Sequence, residues 1–138
     1  MLIRFLAAPE RGPGELYRAL RDDVEFRFVR IAPADSGAYD VVHEDGDPDG
    51  DGGVVLIEPF EVPEGADDEF LADWNAAMAL LAGTQDYLGT RLYRSHGDAD
   101  FRFVNVVRWS SPLMYARAGK PAMPFTSHPA LYQLVTPS

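Results

Sequence analysis

The chain has 138 residues, 46% of them hydrophobic and 25% charged, which suits one folded domain and not a disordered tail. Its 22 acidic and 12 basic residues leave a net charge of −10, which argues against a sequence-independent grip on nucleic-acid phosphates. With no cysteine it has no disulfide, thiolate metal site or cysteine nucleophile. No apolar run approaches the roughly 20 residues of a bilayer span, and the apolar opening meets Pro9, Glu10 and Arg11 too soon for a signal-peptide core. A cytoplasmic protein with no membrane or nucleic-acid partner is expected.

Residues 1–43 read as a strand-helix-strand extension. Leu2–Leu6 suits a strand, residues 14–21 a short helix with Leu16 and Leu20 turned inward, and residues 24–31 a second strand. Residues 44–53 (Glu-Asp-Gly-Asp-Pro-Asp-Gly-Asp-Gly-Gly) cannot build a core and read as an acidic linker. Asp45, Asp47, Asp49 and Gly50 imitate part of a calcium loop, but the twelfth position, which needs a bidentate carboxylate, is Leu56.

From residue 54 to 138 the pattern is that of a second, complete unit. Val54 to Phe60 is a β-rich run stopped by Pro59 and Pro63. Phe70, Trp74, Met78 and Leu81 share one face of a helix over residues 67–82, with Asp67, Asp68 and Glu69 at its positive end. Residues 87–95 and 101–109 form a hairpin around a turn at 96–100. Ser110, Ser111 and Pro112 start a second helix that Gly119 and Pro121 end, and residues 131–136 supply the last strand. The order β-α-β-β-α-β is the split βαβ, ferredoxin-like α+β arrangement. Glu25-Phe26-Arg27-Phe28-Val29 echoes Asp100-Phe101-Arg102-Phe103-Val104, which suggests a shortened internal repeat; alternating aromatic and charged residues suit any half-buried strand and are an equal alternative.

Strand alternation places Phe101, Phe103, Asn105, Val107 and Trp109 on one face. Asn105 there either bonds neighbouring backbone or offers a donor to a ligand oxygen, because a buried amide left unpaired costs on the order of 1–3 kcal/mol. Trp109 either packs in the core or presents its indole N–H from an apolar wall. Asn105 and Trp109 stand four residues apart on the strand, so their Cβ atoms are about 13 Å apart, the length of a flat multi-ring ligand. Tyr115 lies about one turn beyond Pro112, either as amphipathic packing or pointing back to the strand's end. His43, His96 and His128 show no metal-ligand spacing, and His128 precedes Pro129 in the loop to the last strand. No Rossmann, Walker or GxSxG motif occurs, so neither a nucleotide or flavin cofactor nor a serine nucleophile is indicated.

The run from Val54 to Pro63, Phe70-Leu71-Ala72-Asp73-Trp74, Tyr87-Leu88-Gly89-Thr90-Arg91-Leu92-Tyr93, and Phe103-Val104-Asn105-Val106-Val107-Arg108-Trp109-Ser110-Ser111 together resemble the antibiotic biosynthesis monooxygenase family. The likeness covers residues 53–136 and is most specific in the Phe-Val-Asn-x-x-x-Trp strand with Tyr115 six residues on. It is similar to the aromatic-polyketide branch, whose members oxidise anthrones to quinones with O2 and neither metal nor flavin. The resemblance implies a dimeric α/β-barrel type of fold, a homodimer, no cofactor, and a pocket lined by Asn105, Trp109 and Tyr115. The branch has an arginine between the second helix and last strand; no arginine follows Arg117 here, which leaves that role vacant or with His128 or Lys120. Haem-degrading members share the Trp but need an axial His where Gly119 and Lys120 stand, which disfavours haem. A non-oxidative polyketide cyclase and a non-catalytic dimeric binding or assembly subunit are the alternatives to the oxygenase.

Overall fold

The computed structural model describes the chain except for residues 34–37, 49–52, 82, 85, 97–98, 100, 114–115, 117–122 and 136–138. Its elements are β1 (Leu2–Leu6), β2 (Glu15–Ala19), β3 (Phe28–Ala32), β4 (Tyr39–Gly46), β5 (Val54–Glu61), α1 (Asp67–Leu81), β6 (Tyr87–Ser95), β7 (Phe103–Trp109), β8 (Thr126–Ser127) and β9 (Ala130–Leu134). The strands make one antiparallel sheet in the order β1-β3-β2-β9-β5-β7-β6-β4, with β8 beside β5. Within it β9-β5-β7-β6 is the ferredoxin-like order, and α1 carries the chain from β5 across β7 to β6. The helix runs where the spacing of Phe70, Trp74 and Leu81 predicts, and these three are its buried residues. Arg102, at the foot of β7, holds the Asp67 carboxylate at 2.5 Å and so ties the first turn of α1 to the sheet. That hydrogen bond and charge hold the Asp67 carboxyl below the usual carboxylate range.

The sheet curls until its two edges meet. The Met1 ammonium donates to the Tyr39 carbonyl at 2.8 Å, and the Tyr39 N–H donates back to the Met1 carbonyl at 3.0 Å. The enclosed face holds the largest apolar cluster, in which Ile3, Val29 and Ile31 from the first half meet Val55, Ile57, Val104 and Val106 from the second.

The two halves carry the same pairing scheme. Arg18 pairs with Phe28 as Arg94 pairs with Phe103, and Ala19 pairs with Tyr132 as Ser95 pairs with Tyr39. The Ala19 N–H donates to the Arg27 carbonyl and the Ser95 N–H to the Arg102 carbonyl, both at 2.8 Å. Each half also donates a phenol to the other: Tyr39 Oη to the Phe101 carbonyl at 3.2 Å, and Tyr132 Oη to the Phe26 carbonyl at 2.6 Å. The Phe26 and Phe101 rings meet edge to face at 5.8 Å.

Two segments depart from expectation. Residues 14–21 are not a helix: Glu15–Ala19 is strand β2, hydrogen-bonded to β3 on one side and β9 on the other. A helix of two turns is marginal by itself, whereas two antiparallel ladders give the backbone of Glu15–Ala19 partners on β3 and β9. Gly14 makes the entry possible, with φ of 82° and a virtual Cβ only 2.4 Å from the Ile31 carbonyl oxygen. Strand β4 also continues through Glu44 and Asp45 to Gly46, into residues that composition assigns to the linker. Glu44 there pairs with Arg91 at 2.8 Å, and a bulge between Val41 and His43 breaks the alternation that would mark the strand. Residues 112, 113 and 116 are helical; the rest of the expected second helix, Tyr115 and Gly119 included, lies outside the described residues.

The open sheet face that argues for a second copy is covered by β1–β3 of the same chain. A homodimer through that face is therefore not expected, and sedimentation at micromolar concentration should give a species near 15.2 kDa. A species of twice that mass would show that another surface pairs.

Burial, reinforced by the Glu25 carboxylate, pushes the Tyr132 phenol up to about 12. The unfolded chain releases this proton near pH 10, so the native state binds more protons between about pH 10 and 12 and loses stability as pH rises through that window. Thermal melts should show a steeper alkaline decline in the wild type than in Tyr132→Phe, whose neutral-pH stability should be lower by about 1 kcal/mol.

Candidate active site

Beneath α1 the outer sheet face takes alternate residues from three strands. Register places Val54, Leu56, Glu58 and Phe60 of β5 opposite Trp109, Val107, Asn105 and Phe103 of β7. Every residue of β7 is buried, because one face looks into the closed sheet and the other towards α1. Two apolar clusters form on the outer face. Val54, Leu56, Val107 and Trp109 pack with Leu81 at one end of α1, and Phe60, Leu92 and Phe103 pack with Phe70 and Trp74 nearer its start. Phe70 stacks on Phe103 at 4.2 Å.

Between the clusters runs a polar band: Ser127 from β8, Glu58 from β5, Asn105 from β7 and Thr90 from β6. Glu58 is 6% exposed, Asn105 5% and Thr90 1%, so none of the three is there as a solvated surface group. Ser127 Oγ donates to Glu58 Oε2 at 2.7 Å. Thr90 Oγ1 lies 3.0 Å from Asn105 Oδ1 and 3.2 Å from the Val106 carbonyl. One hydroxyl carries one proton. If Thr90 gives it to Asn105, the amide NH2 faces the space under α1; if to Val106, the amide turns and its oxygen does. Either way Thr90 fixes the amide plane and one half of the amide is left for a ligand.

Asn105 and Trp109 therefore share the buried face that the alternation predicts. Trp109 packs edge to face on Tyr87 at 5.8 Å. Burial and the nearby Asp45 carboxylate, 3.5 Å from the hydroxyl, push the Tyr87 phenol well above its ordinary value. Trp74 reaches the other cluster from α1; its buried Nε1 has no hydrogen-bond partner among the described residues, and the His43 ring stands edge-on to it at 4.8 Å.

Tyr115 lies outside the described residues. His128 is not brought to the band. Its Nδ1 meets Glu25 at 2.5 Å and its Nε2 meets Glu61 at 3.0 Å, while its ring packs on Phe101 and Phe26 at the end of the enclosed core. Glu58, Thr90 and Ser127 are the members that sequence reasoning passes over. Glu58 carries a signal, since it has the parity of Val54, Leu56 and Phe60 and is a carboxylate on an apolar face.

Among solved structures the chain is similar to a candidate monooxygenase from Shewanella loihica PV-4, at 27% identity and a TM-score of 0.57, covering 64% of this chain and all of that one. It is also similar to LmHde, a heme-degrading enzyme from Listeria monocytogenes, at 18% identity and TM-score 0.61, over 95% of this chain and 96% of that one. A third is an uncharacterized ferredoxin fold protein related to antibiotic biosynthesis monooxygenases from Listeria monocytogenes 4b F2365, at 16% identity and TM-score 0.58, over 89% of this chain and 81% of that one. No family model and no curated protein matches. The fold is thus the ferredoxin-like α+β fold of proteins related to antibiotic biosynthesis monooxygenases.

A haem would need an iron ligand near Asn105 and Trp109. His96 engages Asp40 and His128 engages Glu25 and Glu61, while His43 lies on β4, two strands from Asn105. Of the described imidazoles, His43 is the one that approaches the layer under α1, edge-on to Trp74. No described helix is long and apolar enough to cross a membrane.

Replacing Thr90 with Val keeps the shape and removes the hydroxyl. It should cost about 1–3 kcal/mol in urea unfolding by leaving half of the Asn105 amide unpaired. An unchanged midpoint would mean that the hydroxyl does not hold Asn105.

Proposed function

We propose that the chain is a cofactor-independent monooxygenase that oxidises an anthrone-like aromatic polyketide intermediate to a quinone with O2. The observation that carries this reading is the Asn105 amide, fixed by Thr90 on a buried strand face with one half left for a ligand, between apolar clusters that end in Trp109 and Trp74. The likeness to a candidate monooxygenase over all of that protein's length supports it.

The chemistry needs little beyond such a site. An anthrone carries a CH2 made acidic by its rings and carbonyl. When a base takes one proton, the C–H electron pair stays on the substrate as a delocalised enolate. That anion passes one electron to O2, and the carbon radical and superoxide combine to a peroxide anion, which a proton converts to the hydroperoxide. Loss of the second C–H proton with cleavage of the O–O bond leaves the quinone carbonyl and one water. The protein's share is to exclude water and hold the developing oxyanion. Asn105 and Trp109 are the donors for that charge, spaced along the strand to match a multi-ring plane. Tyr115 is assigned by the family resemblance to the Trp109 end.

Anthrone incubated with the metal-stripped protein should yield quinone only with O2, at a rate unaffected by chelator. Trp109→Phe, Asn105→Ala and Tyr115→Phe should each lower kcat by roughly ten- to a thousand-fold. His128→Ala should lower the melting temperature and spare kcat, because His128 joins Glu25 to Glu61 away from the band. Turnover that persists without O2 would favour the cyclase. Intact kcat in the Trp109 and Asn105 variants, with lowered stability, would make both residues core packing.

A further inference from the structure

The reaction above leaves its base unnamed, and among the described residues the site contains one buried carboxylate. We infer that Glu58 accepts the substrate's proton, an inference that rests on the oxygenase reading. Glu58 is the register partner of Asn105 on the adjacent strand, so the two side chains leave the same face with Cβ atoms about 4.5–5.5 Å apart. Packing gives no reason for a carboxylate there. The other outward residues of β5 before Glu61 are Val54, Leu56 and Phe60, and an apolar side chain at 58 would fuse the two clusters into one. The carboxylate is instead retained at 6% exposure and given a dedicated donor, Ser127. Strand β8 exists for two residues, pairing Ser127 with Phe60, and the His128 N–H bonds the Pro59 carbonyl at 3.1 Å to hold that donor in place.

Other described acids near this face are paired away from the amide. Asp67 is held by Arg102, Glu61 by His128 and Glu44 by Arg91, and Asp45 lies on the exposed edge strand beside Tyr87. Among the described residues Glu58 is the carboxylate paired across the sheet with the amide that would hold the ring oxygen. In the proposed step one CH2 proton passes to a Glu58 oxygen as the C–H bond breaks, and its electron pair moves towards the oxygen held by Asn105. Glu58 then returns the proton to the peroxide anion. Ser127 is a positioning residue that keeps one carboxylate oxygen engaged.

The test is proton exchange without oxygen. Anthrone in D2O, under anaerobic conditions with wild-type protein, should lose its CH2 proton signal faster than in buffer. Glu58→Gln should lose about 100-fold or more of that enzymatic exchange and of kcat under O2, while binding of anthrone stays within about threefold. Ser127→Ala should slow both rates by about three- to tenfold, a smaller loss because it acts through Glu58. Exchange within about threefold of wild type in Glu58→Gln, with the wild type oxidising normally, overturns the assignment and leaves the oxygenase standing. Exchange by the wild type without oxidation under O2 keeps Glu58 as the base and removes the oxygenase. A wild type that neither exchanges nor oxidises removes both. Should Glu58→Gln fail to fold, Glu58→Asp, which withdraws the charge by one methylene, decides: an unchanged exchange rate rejects Glu58 as the base.

Discussion

Strand β7 is buried on both faces, and the rest of the molecule follows from how each face is covered. Its inner residues Val104 and Val106 need an apolar partner layer, and one antiparallel sheet supplies it by curling until Met1 and Tyr39 exchange backbone hydrogen bonds. The N-terminal half is therefore a lid on the core and not an appendage. Because that half carries the burden of the inner face, the outer face beneath α1 is free to depart from purely apolar packing. Glu58, Asn105 and Thr90 can be buried there without opening the core.

Such a departure is costly unless each polar group is answered, since an unpaired buried polar group gives up about 1–3 kcal/mol. Thr90 answers half of the Asn105 amide and Ser127 answers one oxygen of Glu58. Under α1 the other half of that amide has no protein partner among the described residues, and neither does the buried Trp74 indole N–H. Buried polar groups are satisfied almost everywhere in folded proteins, so unpaired groups in this layer are what the proposed ligand would answer.

How far the sequence reveals this depends on which force shaped each element. Helix α1 and the β6–β7 hairpin are shaped by burial of one face, and burial writes itself into period: Phe70, Trp74 and Leu81 in the helix, Phe103, Asn105, Val107 and Trp109 in the strand. The placement of Asn105 and Trp109 on one buried face was legible for that reason. Strands β2 and β4 are shaped by pairing with partners far along the chain, β9 and β6, and nothing local records those partners. Leu16 and Leu20 mimic a helical spacing, and the acidic tail of β4 mimics a linker because its charges are matched across the sheet by Arg91. The partners of His128 were hidden in a similar way, since its carboxylates come from residues 25 and 61. Glu58 was visible in principle by parity, but a run of apolar neighbours hides one carboxylate well.

The shared pairing scheme of the two halves also bears on why the candidate site lies in one of them. Register makes Arg30 on β3 the counterpart of Asn105 on β7, and Arg4 on β1 the counterpart of Glu58 on β5. In the second half that pair lies under a helix, with half of an amide uncommitted. In the first half no helix follows β1. The loop towards β2 lies against Arg30 instead, and the guanidinium donates to the carbonyls of Glu10, Gly12 and Pro13, while Arg4 pairs with Glu10 at 3.1 Å. Arg30 is 7% exposed, about as buried as Asn105, but both its terminal nitrogens are engaged by backbone oxygens of the chain itself. The loop that replaces the helix thus occupies the space in which the other half would receive its ligand. One half of the fold has been closed to serve as core and support, and the proposed chemistry falls to the half in which a helix keeps the polar band covered without filling it.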